Sequence, residues 1–94
     1  MSKPYIISYD LDEPGQKYEQ VKKTIKSFGG SYIKIQKSVW LVRTSLSPDD
    51  MCNQLQHTMD KNDSLFVCEL VHNYQGLASK ETWKFIRENI FPDN

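Results

Sequence analysis

The chain has no surplus of either charge: twelve Lys and Arg balance twelve Asp and Glu over 94 residues. A dedicated nucleic-acid binder draws its affinity from a positive excess. The balance therefore argues against strong non-specific binding to phosphate, while leaving room for a local basic patch. Cysteine is scarce. Cys52 and Cys68 have no Cys or His neighbour at metal-ligand spacing, so reduced, buried thiols in a cytoplasmic chain are expected. The two histidines, His57 and His72, form no His-x-x-x-His or His-Glu pair. A surface helix position for His57 and a strand end for His72 are expected. No apolar run approaches the ~20 residues of a membrane span, and no secretory leader core is present. A phosphate loop, a nucleophile–base pair and a cofactor fingerprint are all missing, which argues against a small-molecule enzyme.

What is present is a strongly patterned single domain over 1–94, with no repeat or linker. It opens with Tyr5-Ile6-Ile7-Ser8-Tyr9-Asp10, a β-rich run that ends on an acid at a strand's C-terminal edge. Pro14-Gly15 marks a loop. A helix is expected from Gln16 to Phe28, since Tyr18, Val21, Ile25 and Phe28 recur at three, four and three. Gly29-Gly30 ends it. Lys17, Lys22, Lys23 and Lys26 fall largely outside that stripe, forming a basic face that is either a solvated surface or a set of phosphate contacts. Strands follow at Tyr32–Gln36 and Val39–Thr44, joined by Lys37-Ser38. Ser47-Pro48-Asp49-Asp50 reads as a helix start, with Ser47 the N-cap, and Met51, Leu55 and Met59 supply that helix's stripe. A fourth strand is expected over Leu65–Val71. Ser79 then caps a helix carrying Trp83, Ile86 and Ile90.

The order βαββαβ plus a C-terminal helix predicts an α+β, ferredoxin-like two-layer sandwich with strand order 4-1-3-2. Its core spans about 4–71 and the added helix about 79–90. Both crossover helices cover one face of the sheet. Val39-Trp40-Leu41-Val42 is apolar on both alternating faces, so the other face also needs a cover. A second copy of the chain is favoured over the C-terminal helix for that role. Tyr5, Ile7, Tyr9 and Trp40 are the candidate interface residues of this homodimer.

These residues carry a resemblance. Tyr9-Asp10, then a helix, then Gln36-Lys37-Ser38-Val39-Trp40 resembles the CRISPR-associated Cas-two family. The segments Ile7–Leu11, Ser38–Val42 and Asp63–Val67 are more similar still to its SinR-like, VapD-related members. The resemblance covers about residues 4–71. It implies a homodimer with the Tyr-Asp aspartate of each protomer at the seam, where nuclease members hold a divalent metal. That role falls on Asp10 as catalytic and metal-binding residue, with Mg²⁺ or Mn²⁺ as cofactor and RNA or DNA as substrate. The arginine-rich segment common after the family aspartate is replaced here by Asp12-Glu13-Pro14-Gly15-Gln16-Lys17.

Ser8 and Ser38 are candidates to flank Asp10, and Arg43, expected opposite Trp40, is a candidate phosphate contact. Tyr5, Tyr9 and Trp40 are either base-stacking platforms or core. Asp10 itself has a plain alternative, anchoring its turn by accepting backbone amides. Three classes remain: a metal-dependent nuclease, a scaffold binding duplex nucleic acid, and a protein-interaction or regulatory dimer that kept the fold without the chemistry.

Overall fold

In the computed structural model, residues 1–12 and 16–92 are described, and Glu13, Pro14 and Gly15 of the expected acidic loop lie outside them. The elements are β1 (Lys3–Asp10), α1 (Gln16–Lys26), β2 (Ser31–Gln36), β3 (Val39–Thr44), α2 (Pro48–Gln56), β4 (Ser64–Glu69) and α3 (Lys80–Phe85). A single π-helical turn over Ile86–Ile90 continues α3. The sheet is antiparallel throughout and ordered β2-β3-β1-β4. This is the ferredoxin-like order read from the sequence, with β1 and β3 central.

Alternation along the central strands sorts the core into two. Tyr5, Ile7 and Tyr9 of β1 join Trp40 and Val42 of β3 on one face. Against them pack Val21 and Ile25 of α1, Phe28 just beyond it, and Met51 and Leu55 of α2. Helix α2 starts as its residues dictate. Ser47 Oγ accepts the Asp50 amide at 3.1 Å, the Asp50 carboxylate accepts the Ser47 amide at 3.3 Å, and Pro48 stands in the first turn. This reciprocal box satisfies two amides that the helix cannot. At the far end of α1 the chain reverses through Gly29 and Gly30, with φ of 80° and 79°. Gly30 is required for a second reason: a Cβ there would stand 2.0 Å from the carbonyl oxygen of Arg43.

The opposite face is where expectation and structure part. Leu41, with Ile6, Ile33 and Ile35, is covered by Trp83, Ile86, Ile90 and Phe91 of the C-terminal segment. The chain itself supplies the lid that a second copy was expected to provide. Its helix relaxes to i→i+5 bonding at the end, with the Phe91 amide reaching the Ile86 carbonyl at 2.9 Å. That cover is partial. Toward the Asp10 end of the same face Val39 and Ser8 are half-buried, and Phe66 is 64% exposed. Among the described residues no helix is long and apolar enough to cross a membrane.

Candidate functional site

Asp10 is the last residue of β1 and pairs with Ser64 at the start of β4. Its side chain is exposed, and among the described residues its carboxylate has no hydrogen-bond or salt-bridge partner. With Ser8, Ser64 and Phe66 it borders a shallow depression of about 160 Å³. Of the turn that Asp10 is expected to anchor, Glu13, Pro14 and Gly15 lie outside the described residues, and the Asp12 amide is held by Asp63. That carboxylate accepts the Asp12 amide at 2.7 Å, the Asp60 amide at 3.0 Å and the Lys17 ammonium at 3.0 Å. Lys17 also bonds Asp60, which accepts the Asn62 amide. The arrangement ties α1 to the loop before β4, 46 residues on. Hydrogen bonds from Lys17 and Asn62 hold the Asp60 carboxyl below the usual range. The Asp12 and Asp60 amides do the same for Asp63, and the two carboxylates push the Lys17 ammonium well above its ordinary value. The sequence carries a signal for this in Asp60-Lys61-Asn62-Asp63, a turn-forming cluster.

Asp10's neighbour Tyr9 points the other way. Its hydroxyl accepts the Trp40 indole N–H at 3.0 Å inside the core, and burial pushes its pKa up. Tyr5, Ile7, Tyr9 and Trp40 are all buried beneath α1 and α2. Their assignment as a homodimer interface is therefore corrected: strand alternation puts them on the helix-covered side, where no second chain and no nucleobase reaches them. Ser38 lies beside Tyr9, its carbonyl accepting the Tyr9 amide at 3.1 Å and its hydroxyl 3.3 Å from that of Tyr18. Ser8 lies on Asp10's face. The two serines thus fall on different partners rather than flanking one carboxylate.

The expected cations are also redistributed. Arg43 does face away from Trp40, but its guanidinium donates to the Ile90 carbonyl at 2.9 Å and to the Ser2 hydroxyl at 3.0 Å. It fastens the C-terminal lid. Lys17 is held by two aspartates, which corrects its assignment as a phosphate contact. Lys26 lies 5.8 Å from the Tyr32 ring centre, a cation–π contact. Lys22 and Lys23 remain as side chains with no bonded partner among the described residues. His57 caps the end of α2. His72 packs edge-on against Tyr74 and Phe91, with ring centres 5.3 and 5.4 Å away.

A hard divalent cation takes about six oxygen ligands. Asp10 offers one carboxylate, and Asp60 and Asp63 are already engaged by Lys17 and amides. Among the described residues no group of three or more His, Cys, Asp or Glu is arranged to hold a metal. Among the described residues, Asp10 by itself does not make a Mg²⁺ or Mn²⁺ site.

Two features escaped sequence reading. Phe66 is a large apolar residue on an outer strand, exposed beside Asp10. The segment after β4 encloses a largely apolar cavity of about 250 Å³ between Ile6, Leu41, Tyr74 and Trp83.

No family model and no curated protein matches the chain. Among solved structures, a hypothetical protein TT1823 from Thermus thermophilus is similar, with a TM-score of 0.66 and 18% identity. The match covers 84% of this chain and 94% of that one. At this identity the likeness establishes the fold, and fold carries no function by itself.

Proposed function

We propose that the chain is a Cas-two-like, cytoplasmic interaction module that works through protein contact, and that Asp10 marks a recognition corner instead of a hydrolytic centre. The observation that carries this reading is the exposure of Phe66 on an outer strand beside an unpaired Asp10 carboxylate. An apolar ring with a charged neighbour on an open sheet corner suits a protein partner. The destinations of the cations support it: Lys17 and Arg43, two groups expected to meet phosphate, have partners within the chain. A nuclease reading in the sense of the Cas-two family stands second, favoured by the accessibility of Asp10 at the end of β1.

Titration of labelled single-stranded RNA and duplex DNA, followed by fluorescence polarisation at two salt concentrations, tests the choice. The module reading expects no saturable binding at micromolar protein. Tight binding that weakens steeply between 50 and 200 mM salt, the mark of several neutralised phosphates, overturns it.

A further inference from the structure

The two edges of the sheet are managed differently. On β2 the exposed edge carries Lys34, and its ladder with β3 is broken by a bulge between Lys34 and Gln36. Charges and bulges of this kind discourage a second chain from pairing. On β4 the sequence Ser64-Leu65-Phe66-Val67-Cys68-Glu69 has no lysine, no proline and no bulge. Its direction of pairing can be read from one bond. The Leu70 amide donates to the Pro4 carbonyl at 2.9 Å, so the even-numbered residues of β4 turn their backbone groups toward β1. Leu65, Val67 and Glu69 then turn theirs outward, where no further strand lies among the described residues. Phe66 and Cys68 are exposed on the side that the C-terminal lid leaves open.

We propose that β4 is a self-pairing edge, joining β4 of a second copy antiparallel about a two-fold axis through Val67 and extending the sheet to eight strands. This deepens the interaction-module reading, on which it rests, by naming the partner.

A second copy fits for four reasons. The register centred on Val67 overlaps Leu65 to Glu69 of the strand and sets Ser64 opposite Leu70, the residue just beyond it, of the other copy. It also sets Leu65 opposite Glu69, so the strand's single charge meets an aliphatic side chain and not its own like. In the same register each Phe66 faces Cys68 across the axis, a sulfur–aromatic contact. The two Phe66 rings are diagonal neighbours at roughly 7–8 Å, within reach of aromatic side chains. Finally, a chain of zero net charge approaches its copy without long-range repulsion. The geometry has a consequence for Asp10. With a rise of about 3.3 Å per residue and about 4.8 Å between strands, the two Asp10 residues stand roughly 25 Å apart, too far to share a cation.

Light scattering of the full chain at micromolar concentration should give a mass twice the 11.0 kDa of one chain. Phe66→Lys places a charge on the edge at an already exposed position and should return the monomer. Val67→Pro removes an outward amide that β1 does not use, and should also return the monomer. In a Cys52→Ser, Cys68→Ser background, Val67→Cys should crosslink on mild oxidation. Directly opposed hydrogen-bonded residues have Cα atoms about 5.5 Å apart, within the disulfide range. A monomeric wild type, or a dimer that survives Phe66→Lys and fails to crosslink through Val67→Cys, overturns the proposal. A monomer leaves the wider module reading standing with another partner. Salt-sensitive binding of nucleic acid strikes that reading whatever the mass.

Discussion

The indole N–H of Trp40 donates to the hydroxyl of Tyr9 at 3.0 Å, across the two central strands and out of reach of solvent. One residue further along β1, the side chain of Asp10 is exposed. The pleat thus sets a buried polar pair and an open acid back to back, and each has its own consequence.

For the buried pair, Tyr9→Phe keeps the ring and strands the indole N–H. An unsatisfied buried donor costs about 1–3 kcal/mol, so urea unfolding should show a loss of that order. Burial disfavours the tyrosinate and raises the Tyr9 pKa. This stabilising contribution is complete below the ordinary tyrosine value near pH 10 and is lost as pH rises through the raised one. Tyr9→Phe should show no such alkaline loss at this position.

Lys17, Asp60 and Asp63 set the acid side. Both carboxyls are lowered in the folded state, so their contribution is present above about pH 4. It disappears as pH falls through the lowered values. The Lys17 ammonium is raised, so its share persists below about pH 10.5 and fades only above it. The stability of the wild type should therefore be level between these limits with respect to this network and drop in acid. Asp63→Asn should weaken that acid-side dependence. A denaturant midpoint measured from pH 2 to 7 for both proteins checks it.

Gly29 and Gly30 share a positive φ but not the same space. Gly29→Ala meets nothing within 4 Å and bears the conformational strain alone, whereas Gly30→Ala drives its Cβ against the Arg43 carbonyl. Alanine at a positive φ costs more than about 1 kcal/mol, and Gly30→Ala should exceed Gly29→Ala clearly in chemical unfolding.

The C-terminal lid can be tested at Ile90, which is fully buried against the second face of the sheet. Ile90→Ala should cost about 2–5 kcal/mol. If that helix were a loose appendage, thermal unfolding would scarcely register the change.

The strands, both crossover helices and the order of the sheet were legible because each rests on local signals. Tyr18-Val21-Ile25 repeats at helical spacing, Ser47-Pro48 announces a start, and Gly29-Gly30 announces a stop. The site was less legible because it depends on which way each strand alternates and on what covers the second face. Val39-Trp40-Leu41-Val42 shows that both faces are apolar but does not say which chain covers the second. Trp83, Ile86 and Ile90 were visible as a helical stripe, yet their docking over Leu41 is a long-range contact. Strand alternation puts Arg43 opposite Trp40, but its bond to the Ile90 carbonyl has no local signal. The exposure of Phe66 has no local signal, because Leu65-Phe66-Val67-Cys68 is apolar at every position and hides which side stays exposed.

The central claim is that the Asp10 corner binds and does not cut, and the most direct measurement is a cleavage assay on labelled RNA and DNA with Mg²⁺ and with Mn²⁺. Wild type and Asp10→Asn are compared at equal concentration, with circular dichroism confirming the same fold. The account predicts intact substrate in every lane and no difference between the two proteins. Metal-dependent cleavage by the wild type that vanishes in Asp10→Asn contradicts it.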